Sequence, residues 1–520
     1  MESKKQVSRA AGTVSVMTLL SRVFGFARDV VIAMIFGSSA AADAFFVAFR
    51  IPNMQRKILG EGAVSAAFIP VFSDVLNTRG EKSAWELTAN LLNIVFILLV
   101  LVSLTIALFA PAIITVFAPG FMDDPGKFDL TVELTRWMAA YLLFIGLAAF
   151  CMGILNTFQV FALPAAAPVL LNISMIGAAF WIAPRMEQPI MGLAIGVLIG
   201  GALQLAVQLP ETFRRGLRLR PVFNLKHPDV LRMLKLMGPV ILGLAVYELN
   251  LLVDTLLASL LPGGSISYLY YGNRLVQFPL GIFGVALGVA LLPMLSKHAA
   301  LKNLSELVKT LGFSIRLILF ITIPATIGLI LLRFPIVNTL WERGEFTRLS
   351  TDGTATALLY YSVGLCAFCG IKVIVPAYYS LHDTKTPVKI GIYSVGLNIV
   401  LNLILMGPLQ HGGLALATSL ASLFNVFMLI HFLRKRLGLM GGRKILVSTL
   451  KLAGVSTVMG VVIYFFNAQF FNPADTLAIK LGVLFCSILL GLLSYLLLSK
   501  LLRNEELQFL LDMRSKKQPA

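Results

Sequence analysis

The sequence predicts an all-α polytopic membrane protein in which two related six-helix bundles precede two further helices. Three observations predict this fold class. The 520 residues are 58% hydrophobic and only 13% charged. Apolar runs of about 18 residues or more recur along the whole chain, and each can cross about 30 Å of hydrocarbon. Segments roughly 220 residues apart also resemble one another, which is typical of a duplicated fold.

The apolar runs predict fourteen membrane spans. These spans lie near residues 10–36, 40–75, 86–118, 130–157, 161–183, 190–210, 229–261, 266–296, 306–334, 353–380, 386–407, 412–433, 444–467 and 474–501. Basic residues concentrate in alternate loops, and the positive-inside rule therefore places both termini in the cytoplasm. The net charge of +18 follows from this topology, so we expect no nucleic-acid partner.

The internal repeat predicts how the spans are grouped. GLAIGVLIGGALQLAVQLPETFRR at 192–215 resembles GLALATSLASLFNVFMLIHFLRKR at 413–436, and SAAFIPVFS at 65–73 resembles GVALLPMLS at 288–296. Spans 1–6 and 7–12 are therefore expected to form related halves that share one orientation in the membrane. Paired bundles of this kind are typical of transporters that work by alternating access.

We accordingly expect three parts in the chain. An N-terminal lobe should cover residues 1–220, and a C-terminal lobe should cover residues 221–440. Residues 441–520 should supply the last two spans and a basic cytoplasmic tail.

The segment 21–70 is the most unusual stretch, because it reads as two apolar helices yet contains many charges. They are Arg22, Arg28, Asp29, Asp43, Arg50, Arg56, Lys57 and Glu61. Charges at membrane depth normally face a water-filled cavity, and clustered arginines suit a phosphate or pyrophosphate. Alternatively, some of these side chains extend to the lipid headgroups or anchor helix ends. Both interpretations stay open from the residues alone.

The second half contains matching polar residues. Arg274 and Lys372 lie within apolar runs, as the arginines of the first half do. A separate set of oxygen donors is of the kind that a hard cation such as Na⁺ needs, and comprises Asp254, Asn398, Asn402 and Thr418. The alternative role for this set is hydrogen bonding between helices.

No motif predicts an enzyme. The sequence lacks a phosphate-binding G-x-x-x-x-G-K-[ST] loop, and its five histidines are scattered near loops and helix ends. We therefore predict a transporter with no cofactor, apart from Na⁺ as a coupling or structural ion. A membrane transferase or a scaffold protein is the alternative from another class, but the arginines favour binding a phosphate over cleaving its ester.

Several stretches resemble the MurJ (MviN) family of bacterial lipid II flippases, which belongs to the multidrug/oligosaccharidyl-lipid/polysaccharide exporter superfamily. They are SRVFGFARDVVIAMIFG, DAFFVAFRIPN, EGAVSAAFIPVFSD, YYGNRLVQFPLGIFGVALGVALLPMLS and HDTKTPVKI. The resemblance implies two lobes around a cationic cavity, with spans 13 and 14 forming a groove for a polyprenyl tail. It also implies the bacterial inner membrane, lipid II as substrate, contact with membrane lipids, and the cell-wall synthesis machinery as a partner.

The resemblance also implies roles for individual residues. Cavity arginines would be Arg22, Arg28, Arg56 and Arg274, and further charged positions of the family's motifs would be Asp29, Asp43, Glu61 and Lys372. Asp254, Asn398, Asn402 and Thr418 resemble a sodium site. The chain departs from some relatives at Asn273 and Gln277, where acidic residues can occur. The alternative within the superfamily is an exporter of another lipid-linked oligosaccharide or of drugs.

Overall fold

The computed structural model describes residues 2–58 and 65–515, and all regular elements within these ranges are helical. The α-helices are α1 (Glu2–Phe36), α2 (Ala40–Gln55), α3 (Ser65–Leu108), α4 (Ala110–Phe117), α5 (Pro125–Ala139), α6 (Tyr141–Thr157), α7 (Ala162–Trp181), α8 (Pro189–Arg214), α9 (Pro228–Ser259), α10 (Ser265–Pro279), α11 (Ala286–Ala300), α12 (Leu304–Trp341), α13 (Arg348–Val363), α14 (Leu365–Ser380), α15 (Lys385–Leu409), α16 (His411–Leu437), α17 (Gly442–Phe470), α18 (Leu477–Leu501) and α19 (Glu505–Ser515). Short 3₁₀ helices follow α4 and α7, and a π-helix, Leu280–Val285, joins α10 to α11.

The helical content confirms the predicted all-α membrane class. Within the described residues, ten helices are long and apolar enough to cross a membrane, or eleven if α13 and α14 form one bent span. The expected count of fourteen is not confirmed, because α1, α2 and α9 are not among them. Charges interrupt the apolar run of α1, and α2 has 16 residues, which gives a length of only about 24 Å.

Several expected spans are interrupted. The expected span 40–75 is divided between α2, which ends at Gln55, and α3, which begins at Ser65. α3 itself turns at Gly80, whose φ of 81° lies in the left-handed region that glycine adopts without a Cβ penalty. α13 and α14 meet at an angle of 42°. The chain therefore consists of more and shorter helices than its apolar runs predict.

One compact unit comprises Met1–Ile266 together with Arg343–Glu345. Its core includes aromatic side chains of α3 and α6, where the Phe68 ring lies 5.2 Å from that of Phe72 and 4.9 Å from that of Phe150. α7 and α8 approach closely at Gly196, where a Cβ would lie 2.6 Å from the Cβ of Ala178. Small residues of this kind allow close packing of membrane helices.

The second compact unit comprises Ser267–Glu342 and Phe346–Ala520. In it, the last two long helices, α17 and α18, pack on α12, and Leu452 and Met459 of α17 share a buried cluster with Leu484 of α18 and Phe320 of α12. The buried hydroxyl of Tyr495 donates a hydrogen bond of 2.7 Å to the Phe320 carbonyl of α12. The structure thus groups α9 with the N-terminal helices, whereas the expected division into lobes at residues 220 and 440 stays a prediction.

Candidate functional site

A buried ion pair lies within α1. Arg28 is only 9% exposed and Asp29 is fully buried. Nε and Nη2 of Arg28 donate to Oδ1 of Asp29 at 3.1 and 2.7 Å, and Nη1 lies 3.9 Å from the Met175 sulfur of α7. A guanidinium in an apolar environment requires a compensating charge, and Asp29 supplies it. Arg22, two turns earlier on the same helix, is exposed.

Asp43 forms a second buried ion pair at the beginning of α2. Its Oδ2 accepts from Nζ of Lys127 at 2.9 Å and from the Gly264 amide at 2.8 Å. The Lys127 ammonium also lies 4.0 Å from the centre of the Phe121 ring, which is a favourable cation–π distance. Lys127 lies in the first turn of α5, within a stretch rich in aspartates that the sequence analysis treated as a connection between spans. Its role as the partner of Asp43 was therefore not predicted.

The end of α2 contacts α9 of the same unit. Nη1 of Arg50 donates to the Leu251 carbonyl at 3.2 Å, and Nζ of Lys57 lies 3.1 Å from Oε1 of the buried Glu248. Arg56 is half-buried, and its Nε donates to Oδ1 of Asn53 at 3.1 Å. The side chains of Arg50 and Lys57 therefore reach protein groups, which supports a protein-facing position for them over a headgroup contact. Glu61 lies outside the described residues.

The second unit contains the other two predicted cations. Arg274 is half-buried on α10, and the neighbouring Asn273 accepts a hydrogen bond from Gln277 one turn later. Lys372 is exposed on α14. Because Arg28 and Arg56 belong to the first unit and Arg274 and Lys372 to the second, their convergence on one cavity stays a prediction.

Three of the four predicted sodium ligands are joined by hydrogen bonds. Nδ2 of Asn402 donates to Oδ1 of Asn398 at 3.0 Å, and Nδ2 of Asn398 donates to Oγ1 of Thr418 at 3.4 Å. Asp254 belongs to the other unit, where the amide of Asn250 lies 3.5 Å from its carboxylate. Within the described ranges, no group of three or more His, Cys, Asp or Glu side chains could hold a metal ion. The amide and hydroxyl oxygens of α15 and α16 are nevertheless compatible with a hard monovalent cation.

The chain matches known proteins over most of its length. The family model described as "Lipid II flippase MurJ" matches residues 32–484. A probable lipid II flippase MurJ of Vibrio cholerae is 40% identical over 82% of this chain and 82% of its own length. A lipid II flippase MurJ of Burkholderia cenocepacia is 37% identical over 82% of this chain and 84% of its own length.

Solved structures agree with these matches. A lipid II flippase MurJ in an inward closed conformation superposes with a TM-score of 0.79 at 30% identity, covering 94% of this chain and 98% of that chain. An inward-facing multidrug resistance MATE family transporter of the MOP superfamily gives a TM-score of 0.68 at 14% identity, over 83% of this chain and 98% of that chain, and shows a shared fold alone. The predicted transporter class is thus confirmed over an enzyme, and the chain belongs to the lipid II flippase MurJ family.

Proposed function

We propose that the protein is a lipid II flippase that works by alternating access. It would move undecaprenyl-pyrophosphate carrying the peptidoglycan disaccharide-pentapeptide from the cytoplasmic to the outer leaflet of the bacterial inner membrane, with both termini in the cytoplasm. Membership of a family whose relatives bear this name supports the substrate. The two helical units are compatible with a transporter whose parts move relative to each other.

The burial of Arg28 in α1 is the main structural observation in support of this proposal. A buried arginine in an apolar helix is energetically costly and is therefore typical of a functional position. Its two hydrogen bonds to Asp29 hold the guanidinium in one orientation, so that little conformational entropy remains to be lost when an anion binds. A pyrophosphate oxygen would bind the guanidinium beside Asp29, because guanidinium groups bind phosphate oxygens and carboxylate oxygens in the same fork geometry.

The remaining charges would complete the binding surface. Arg22, Arg56, Arg274 and Lys372 would neutralise the pyrophosphate, whereas Asp43 would have a structural role through Lys127. Glu61 keeps its proposed place near the head group. The polyprenyl tail would remain in lipid along α17 and α18, and the cell-wall synthesis machinery would act as a partner.

We also propose that Na⁺ binds among Asn398, Asn402 and Thr418, with Asp254 as a further ligand. The bound ion would either act as a coupling ion for transport or stabilise one conformation of the transporter. Asn398 and Asn402 are almost completely buried, so their amide groups need partners inside the protein. In the absence of an ion, the hydrogen bonds among the three side chains satisfy part of that need.

Complementation of a bacterium depleted of its own MurJ tests the proposed substrate. The parent protein should restore lipid II exposure at the outer leaflet, whereas Arg28→Ala at equal membrane abundance should not. Arg185→Ala removes an exposed arginine outside the proposed site and should behave like the parent.

Two outcomes would reject this assignment in different ways. Full lipid II exposure with Arg28→Ala would exclude the residue-level role. A folded, inserted parent protein that leaves lipid II inside would instead favour an exporter of another lipid-linked oligosaccharide or of drugs.

A further inference from the structure

The connection between α8 and α9 exposes an unusual run of residues. Residues 218–226 are all exposed, and they include Leu219 at 69% and Phe223 at 54% exposure, together with Val222 and Leu225. Basic residues alternate with these apolar side chains, at Arg218, Arg220 and Lys226. Between Glu211 and Asp229 the chain contains no acidic residue. Apolar side chains interleaved with cations are typical of segments that lie in a membrane interface.

This loop is held in a defined conformation. The buried side-chain amide of Asn90 forms two hydrogen bonds with the Asn224 backbone. Its oxygen accepts from the Asn224 N–H at 2.7 Å, and its nitrogen donates to the Asn224 carbonyl at 2.9 Å. Nδ2 of Asn93 donates to the carbonyls of Arg220 and Val222 at 2.6 and 2.8 Å. The loop backbone is therefore held with its apolar side chains exposed, and a surrounding apolar phase would cover them favourably.

A cleft of about 410 Å³ adjoins the loop. Its lining includes Arg79, Arg220 and His227, together with the carboxylates of Glu86 and Asp229. Arg79 is engaged by Asp229 at 2.7 Å, and the His227 ring lies 3.6 Å from the same carboxylate. Arg220 lies 3.7 Å from Glu86, and both side chains are about half exposed. This loose pair contributes little to stability, so Arg220 can exchange Glu86 for another anion at low cost.

We propose that loop 218–226 is a membrane-interface anchor that binds the phosphate of an anionic phospholipid headgroup. The apolar side chains of Leu219, Val222, Phe223 and Leu225 would enter the interface. The half-exposed side chain of Arg220, which lines the cleft, would contact the phosphate. The chemistry favours a lipid over a soluble anion, because the cations alternate along the chain with apolar side chains that need an acyl environment. The loop thereby recruits anionic lipid to the connection between α8 and α9.

Lipid-selective fluorescence quenching tests this proposal. The full chain with Phe223→Trp is reconstituted in nanodiscs of phosphatidylcholine and phosphatidylglycerol at fixed proportions. In one sample the bromine quencher is on the glycerol lipid, and in the other it is on an equal mole fraction of the choline lipid. The signal is the difference from the parent protein, whose four native tryptophans provide the background. We expect quenching by both lipids, and stronger quenching by the brominated phosphatidylglycerol.

Matched variants identify the contact. Arg220→Gln should reduce the preference for phosphatidylglycerol about fivefold, the factor expected for one cation at an anionic surface. Arg220→Lys should preserve the preference, and Arg348→Gln, which removes an exposed arginine elsewhere, should leave it unchanged. Equal quenching by the two brominated lipids would overturn the headgroup site, and absence of quenching by either would overturn the interfacial position of the loop.

Discussion

The buried charges of Arg28 and Asp29 compensate each other. Either charge without the other would be energetically costly at this position. Both are buried in α1, and two hydrogen bonds of 3.1 and 2.7 Å join them. Removing one partner of a buried pair leaves an uncompensated charge and typically costs about 3–5 kcal/mol, whereas replacing both by apolar residues of similar volume can be nearly neutral. The stability of this segment therefore depends on the pair more than on either residue.

A double-mutant cycle measures this coupling. Asp29→Leu should lower the free energy of unfolding by about 3 kcal/mol, and Arg28→Met/Asp29→Leu, which replaces both charges by apolar side chains of similar volume, should recover most of that loss. Thermal unfolding in one detergent at constant protein concentration provides the measurement. The double variant should still fail to expose lipid II, because the proposed pyrophosphate contact is absent. A double variant that loses as much stability as the two single variants added together would show that the pair is not coupled.

The sequence located the charged residues of the first two helices but could not predict most of their partners. Apolar runs around Arg28 and Asp43 indicated that these charges sit in helices at membrane depth. Lys127 is 84 positions from Asp43 in the chain, and Glu248 is 191 positions from Lys57. Pairs this distant depend on how the helices pack, and spacing within one helix carries no information about packing.

At the scale of helices, Asp383 stabilises the beginning of α15. Its carboxylate accepts from the Thr386 amide at 3.0 Å and from the Thr386 hydroxyl at 2.8 Å, and Nη1 of Arg436 lies 3.4 Å away. Burial alone would raise the pKa of Asp383, but these hydrogen bonds and the Arg436 charge outweigh it and lower the pKa below its ordinary value of about 4. Because the folded pKa is the lower one, this stabilisation is present above about pH 4 and is lost as the pH falls further.

Asp383→Asn should therefore destabilise the protein by about 0.3–1 kcal/mol at neutral pH, because it keeps a side-chain oxygen for the Thr386 amide but removes the negative charge at the helix N-terminus and beside Arg436. The difference from the parent should shrink as the pH falls below about 4, because the parent carboxylate is then protonated. Unfolding temperatures over this pH range provide the test, with Asp123→Asn as an exposed aspartate control. A difference that stays constant down to the lowest pH would contradict an electrostatic role for Asp383.

α15 and α16 together carry the proposed sodium ligands. Binding of Na⁺ to the folded state alone should raise the free energy of unfolding by about 1 kcal/mol when its concentration is about five times the Kd. The unfolding temperature should rise with Na⁺ to a plateau, and equal concentrations of K⁺ should have a smaller effect. Asn402→Ala should abolish the rise. Asn467→Ala removes a comparable amide that bonds Ser487 at 2.9 Å between α17 and α18, and it should preserve the rise.

Identical responses to Na⁺ in the parent and Asn402→Ala proteins would reject the sodium site without bearing on lipid II transport. In that event, the hydrogen bonds from Asn402 to Asn398 and on to Thr418 would serve helix packing instead.

Hydropathy predicted the fold class of the chain but not the interruptions of its helices. It predicted an all-α membrane protein correctly, because apolar content alone decides that class. It did not predict the turn at Gly80, the π-helix at Leu280–Val285 or the bend between α13 and α14. These interruptions leave the chain as apolar as before and change only its backbone dihedrals, which an average over side chains does not detect.

At the scale of the whole molecule, the proposed transport moves charge across the membrane. A pyrophosphate that travels outward with two negative charges gains about 2.3 kcal/mol per charge for every 100 mV of inside-negative potential. Part of this gain is lost if mobile cations of the protein move with the head group. The dependence of the transport rate on the membrane potential therefore measures how much of the substrate charge crosses without a compensating cation of the protein.

Lipid II exposure should consequently slow when the potential is collapsed in proteoliposomes that contain the protein. Valinomycin with equal K⁺ on both sides removes the potential, whereas nigericin in K⁺ medium removes the pH gradient and leaves the potential in place. We expect the first treatment to reduce the initial rate severalfold and the second to have a smaller effect, because the driving force acts on the charge of the head group. If both treatments leave the rate unchanged, the moving complex of substrate and protein is electrically neutral. Cations of the protein would then cross with the pyrophosphate, and the expected gain from the membrane potential would be wrong.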